Sequence, residues 1–152
     1  QRAQLWQYRE GISESITPYT PYKNDLAVRV SDVPSFLAAV ETCVGERYPG
    51  FEIVWFGHIG DGNLHLNILK PASQAVAQFK AQCEQVSEEV LAIVASFDGS
   101  VSAEHGVGLL KRGQLHYSRS QQELALMQGL KNVFDPKGIM NPGKLLSPPA
   151  GS

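Results

Sequence analysis

Apolar residues along this chain follow two alternating periods, and the switches between them predict its elements. Asp25 to Ser31 (DLAVRVS) alternates, with Leu26, Val28 and Val30 opposed to Ala27, Arg29 and Ser31, which predicts a strand with one buried face. Pro34 opens a helix, because proline suits a first helical turn, and Phe36, Val40, Cys43 and Val44 form its apolar stripe until Pro49-Gly50 stops it. Phe51 to His58 (FEIVWFGH) and Asn63 to Leu69 (NLHLNIL) predict two more strands, the second with Leu64, Leu66 and Ile68 on one face. From Ser73 the spacing changes to three and four. Val76, Phe79, Cys83, Val86, Val90, Ile93 and Phe97 then mark a long one-sided helix, ended at Asp98-Gly99 with the glycine as left-handed cap. Ser100 to Ala103 predicts a short fourth strand. Ser120 and Glu123 form a capping box for a last helix whose Leu124, Met127, Leu130 and Phe134 face inward, with Asp135-Pro136 and Gly138 breaking it. Residues 1–22, which include TPYTP, read as a helix end followed by an irregular arm.

The order strand, helix, strand, strand, helix, strand predicts an α+β fold of the ferredoxin-like βαββαβ type. Its antiparallel sheet carries both main helices on one face, and the capped helix is an extra C-terminal element. At 152 residues the chain is the size of one domain. It opens QRAQLWQYREG without a methionine and closes PPAGS, which reads as a piece of a longer polypeptide.

This pattern gives a geometric reason to look at FGHIGDGNLH. If Asp61-Gly62 is a two-residue hairpin loop, His58 faces His65 across the two strands, and directly opposite residues share a side with Cβ atoms about 5 Å apart. Two imidazoles so placed can reach one ion at metal–nitrogen distances of about 2.1 Å. Leu64, Leu66 and Ile68 take the other face, so the histidines and Asn67 occupy the face without helices. Glu104, leaving the fourth strand, is the natural third ligand, and His105 beside it is a candidate base. Two imidazoles and a carboxylate suit zinc, with iron and manganese as alternatives. The same pair also fits an ordinary polar sheet surface. Gly57, Gly60 and Gly62 do not make a phosphate loop, because an alternating strand rather than a helix N-terminus follows them.

Composition narrows the options. Net charge is −2 with no basic run, which points away from nucleic acid and from an anionic membrane surface. No apolar run approaches the roughly 20 residues of a bilayer span, so no transmembrane segment is expected. Cys43 and Cys83 are too few and too far apart for a disulfide scaffold and read as small buried hydrophobes in a reducing compartment.

Three segments in order, FGHIGDGNLHLNI, SVSAEHGVG and DPKGIMNPGKLL, resemble the C-terminal part of FAD-linked oxidases. These are the vanillyl-alcohol-oxidase-type flavoproteins that include D-lactate and D-2-hydroxyglutarate dehydrogenases and the glycolate oxidase flavin subunit. The likeness runs from about Trp6 to Leu146. It implies an FAD-dependent dehydrogenase of D-2-hydroxy acids such as D-lactate or D-2-hydroxyglutarate. The N-terminal FAD-binding domain would be absent from this chain, and the fragment alone would be inactive. It also implies that His58, His65 and Glu104 hold a divalent metal, usually zinc, that Asn67 contacts substrate, and that His105 is the general base. Arg9, Ser13 and Lys23 resemble carboxylate-binding positions, and Asn141 and Lys144 match a motif that approaches the flavin. A cytoplasmic setting follows, with an unspecified electron acceptor as any link to the inner membrane, and a homodimer is compatible. Two readings from other classes stand beside it: a non-catalytic ferredoxin-like binding module, and a metal-dependent hydrolase with the same ligands.

Overall fold

The computed structural model describes residues 1–146; the PPAGS tail lies outside the described residues. Ahead of the first strand the chain forms α1 (Arg2–Glu10), a short α2 (Ile12–Ser15) and a 3-10 turn at Thr17–Tyr19, so the expected irregular arm is mostly helical. Next come β1 (Tyr22–Ala27), α3 (Val33–Arg47), β2 (Glu52–His58), β3 (Asn63–Leu69), α4 (Val76–Ser96) and α5 (Gln121–Phe134). The sheet is antiparallel and three-stranded, ordered β1-β3-β2.

Its core lies between one sheet face and α3 and α4. Leu26, Leu64, Leu66 and Ile68 meet Phe36, Val40 and Val44 from α3, and Phe79, Cys83, Val86, Val90 and Val94 from α4, all buried. The strand period of two and the helix period of 3.6 therefore converge on one layer of side chains. Cys83 is fully buried and burial pushes its thiol up to about 12, while Cys43 is half-buried; both are free. Among the described residues no helix is long and apolar enough to cross a membrane.

Five expectations are corrected. The first strand runs over Tyr22–Ala27 rather than 25–31. Val28 is still buried, but the chain then enters a 3-10 turn at Val30–Asp32, which leaves Val30 exposed. The hairpin is wider than two residues: Ile59–Asp61 form a 3-10 turn closed by left-handed Gly62. His58 therefore faces Asn63, and His65 faces Phe56. The shift of two keeps both histidines on one face, because side chains alternate with period two.

The long helix starts at Val76, and Asp98, not Gly99, takes the left-handed position at its end (φ 51°). The fourth strand is only an isolated bridge, Ala27 to Ser100. Beyond it the chain curls around Asp25, whose carboxylate takes the N–H groups that a ladder would use. The α+β sheet with helices on one face is thus present, without a sixth element completing βαββαβ. Finally, the α5 capping box forms, yet no residue of α5 is buried; Leu124 and Met127 are half-buried, and Leu130 and Phe134 are exposed.

Candidate functional site

β3 is the central strand, so its second face presents Asn63, His65 and Asn67 between two neighbours. Asp25 lies directly opposite His65 on β1 and is 5% exposed. One of its oxygens, Oδ2, accepts from the backbone N–H groups of Ala103, Glu104 and His105 (3.1–3.4 Å) and from Ser102 Oγ. Lys111 Nζ donates to the same oxygen at 3.2 Å and to the Asp25 carbonyl at 3.1 Å. Burial pushes the Asp25 carboxyl up, but the His105 N–H and the Lys111 charge outweigh it and hold the group below the usual carboxylate range. Asp25 is the anchor that brings the Glu104-His105 turn over the sheet.

Glu104 then lies among three imidazoles. Its carboxylate is 3.1 Å from His65 Nε2, 3.5 Å from His58 Nδ1 and 3.5 Å from His105 Nε2. His105 stacks on His65 with ring centroids 5.4 Å apart, and the His58 and His65 rings are 6.4 Å apart. Among the described residues, the three donors within 4.8 Å of one another are Asp25, His65 and His105. Asp25 Oδ1 is buried with no hydrogen-bond partner among the described residues, 3.6 Å from His65 Nδ1. Imidazoles and carboxylates gathered around an unsatisfied buried oxygen are a donor set that fits a divalent cation.

Asp25, His65, Glu104 and His105 line a cavity of about 540 Å³, and His58 lies outside its lining. Ser13, Lys23, Asn67, His65, Glu104 and His105 all contribute to its wall, and Phe56, Val107, Leu109 and Leu110 make its apolar side. Lys23 Nζ donates to Ser13 Oγ at 2.8 Å, so α2 and β1 hold that pair together. Asn67 is 1% exposed; its amide nitrogen donates to the carbonyls of Val54 and His65, while Oδ1 is buried without a partner among the described residues. Arg9 stands apart from Lys23: its Nη2 donates to His58 Nε2 at 2.9 Å, and its guanidinium lies over Trp6.

Asn141 and Lys144 are not among the cavity's lining residues. They sit in an exposed turn, with Asn141 left-handed, tied to the site loop by Leu145 N–H to Gly108 carbonyl and by Arg112 to the Gly143 carbonyl. His116 is exposed, with its Nδ1 at the Gly113 carbonyl and its ring against Tyr117.

Asp25, Lys111 and Asn63 are the site residues that the sequence reading misses. A signal for Asp25 exists: it shares the strand phase of Ala27, opposite Leu26, and the βαββαβ order puts β1 beside β3. Lys111 lies in a loop without period, and nothing in the pattern marks it.

Comparison with known families matches residues 1–145 to the family described as FAD linked oxidases, C-terminal domain. The chain is 54% identical over 145 residues to a D-2-hydroxyglutarate dehydrogenase of Xanthomonas citri pv. viticola, covering 95% of this chain and 31% of that protein. It is 57% identical over 143 residues to the enzyme of the same name from Stutzerimonas stutzeri, covering 94% and 31%. To the D-2-hydroxyglutarate–pyruvate transhydrogenase of Saccharomyces cerevisiae it is 39% identical, covering 93% and 29%. The chain thus spans just under a third of the length of these relatives. With a family match across nearly its whole length, the chain belongs to the C-terminal domains of the FAD linked oxidases.

Proposed function

We propose that this chain is the substrate-side domain of an FAD-dependent dehydrogenase that oxidises a D-2-hydroxy acid, D-2-hydroxyglutarate in the first instance, to the 2-keto acid. The observation that carries the reading is the meeting of His58, His65 and His105 on one carboxylate, Glu104, at the wall of a cavity that also holds Lys23 and Asn67. The names of the relatives support the substrate class. Two cations on separate partners, Arg9 at His58 and Lys23 at Ser13, suit a diacid better than a monoacid.

In this reading His58, His65 and Glu104 hold a divalent cation, most simply zinc, which supplies Lewis acidity that lowers the pKa of the substrate hydroxyl. FAD, bound by a part of the polypeptide outside this chain, supplies the acceptor for the C2 hydrogen and its electron pair. The chain's own residues do the rest. Lys23 and Ser13 take one carboxylate, Arg9 the other, and Asn67 contacts the substrate from the cavity wall. His105 is 64% exposed at its side chain and accepts the hydroxyl proton at Nε2, while Asp25 faces its other nitrogen at 3.6 Å and steadies the ring. Val107, Leu109 and Leu110 give the cavity its apolar side. Asn141 and Lys144 present the exposed turn beside this loop to the flavin-bearing part, and the apolar side chains of α5 meet that part as well.

Replacing His58 or His65 with alanine in the full-length enzyme is expected to remove bound metal, read by elemental analysis, and D-2-hydroxyglutarate turnover together. Turnover that persists in a metal-free variant overturns the ligand assignment.

A further inference from the structure

The tightest trio of donors in the site is not the set assigned to the cation above. Asp25, His65 and His105 offer ligand atoms that all lie within 4.8 Å of one another, and among the described residues no other trio does. Asp25 Oδ1 is buried without a hydrogen-bond partner among those residues, 3.6 Å from His65 Nδ1. By distance alone, a divalent cation would take this trio and draw His105, the proposed base, into its coordination.

Charge decides otherwise. A turn closed by the Lys111 N–H on the Val107 carbonyl, at 3.1 Å, brings Lys111 against β1. There its Nζ donates to the Asp25 carbonyl at 3.1 Å and to Oδ2 at 3.2 Å. The two side chains are only 20% and 6% exposed, so water screens the pair little, and the ammonium cancels the trio's one carboxylate charge. A second cation arriving there would meet a fixed positive charge beside its ligands. Glu104 is different: among the described residues, only imidazoles lie within ion-pair distance of its carboxylate. Arg9 does stand near that set, at His58 Nε2. It is exposed, however, and rests on an imidazole rather than on the carboxylate, so solvent screens it and Glu104 keeps its charge.

From this arrangement we infer that Lys111 selects the place of the cation: its ammonium on Asp25 keeps a divalent ion off Asp25, His65 and His105. The ion then goes to His58, His65 and Glu104, and His105 stays uncoordinated to take the substrate proton. Lys111 acts through Asp25 and is a positioning residue, not a ligand. The inference rests on the ligand set and the base proposed above.

The test uses the full-length protein stripped of metal, with zinc affinity read by competition with a chromophoric chelator. In the wild-type background His58→Gln is expected to weaken zinc binding and His105→Gln to leave it unchanged. Lys111→Gln removes the charge yet keeps a donor for Asp25, and there the pattern is expected to reverse. Zinc should bind at least as tightly as in wild type, with little dependence on His58. His105→Gln should now weaken it about tenfold or more, the least that one poorly screened charge at this range is worth to a divalent ion. Lys111→Arg, which restores the charge, is expected to restore the wild-type pattern. A merely structural role for Lys111 gives weaker zinc binding in Lys111→Gln with the dependence on His58 retained, and that result overturns the inference. If Lys111→Gln does not fold, Lys111→Met, of nearly the same volume as lysine, takes its place in the same measurement. Wild-type affinity that depends on His105 and not on His58 overturns both the inference and the ligand assignment. Affinity that depends on His58 in both backgrounds sinks the role of Lys111 alone.

Discussion

Single residues hold this site through contacts that only the folded chain displays. Asp25 collects three backbone N–H groups, a serine hydroxyl and the Lys111 ammonium on one oxygen, an arrangement that stabilises its charge and fixes the following turn. Gly57 is the counterpart on the other edge. At φ 153° with a backbone oxygen 2.1 Å from where a Cβ would stand, it can take no side chain without moving β3. Gly57→Ala is expected to lower stability by about 1–3 kcal/mol, the usual cost of enforced backbone strain, and to weaken metal binding because Asn63 and His58 shift with it. Urea denaturation and zinc titration check this, and an unchanged midpoint with unchanged zinc affinity would contradict it. The residues with distinctive chemistry, His58, His65, Glu104 and His105, were legible in the sequence. Asp25 was not, because a carboxylate on an alternating strand reads as solvent-facing until the loop that covers it is known.

At the scale of elements, hydrophobic period located the strands and main helices but not their ends. The alternation of β1 ran on through Val28 into Val30 although the backbone had already turned, since burial and strand pairing are separate requirements. The Asp-Gly pair pointed to a tight hairpin, and the 3-10 turn at Ile59–Asp61 widened it by two residues, a change that period two cannot reveal. The segment after α5 shows how an end is set by polar contacts instead. Asp135 receives Lys131 Nζ at 2.6 Å and the N–H groups of Ile139 and Met140 at 3.0 and 2.9 Å. The Lys131 hydrogen bond, with help from those N–H groups and against burial, holds its carboxyl below the usual range. A carboxyl that titrates lower in the folded than in the unfolded state contributes stability above the unfolded value. It loses that contribution as pH falls through the folded one. Amide exchange of Ile139 and Met140 is therefore expected to stay protected at neutral pH and to lose protection only below about 3.9, the ordinary aspartate value. In Asp135→Asn the protection should be weaker at neutral pH and its pH dependence absent. Protection in that variant equal to wild type would show that the turn is held by something else.

Seen as a whole, the molecule is asymmetric in what it covers. The sheet and its two long helices enclose a complete core, whereas Leu126, Leu130, Val133 and Phe134 of α5, and Ile139 and Met140 after it, are all more than half exposed. The sequence could not distinguish these cases, because a helix with an apolar stripe looks alike whether its partner lies within the chain or outside it. Apolar surface of this extent on a single element is what an interface leaves behind when one side is viewed alone. The chain spans 31% of its bacterial relatives, so a large remainder is at hand to supply that side in a polypeptide of their length. Under the proposed function the same contact brings the flavin up to His105, so the cover of α5 and the completion of the site are one event. Carbene footprinting is expected to label Leu126, Leu130, Val133 and Phe134 in this chain on its own and to spare them in the full-length enzyme. Turnover of D-2-hydroxyglutarate should appear only in the latter. Equal labelling in both would mean that α5 faces solvent in the working protein, and that the flavin-bearing part approaches the histidine cluster from another side.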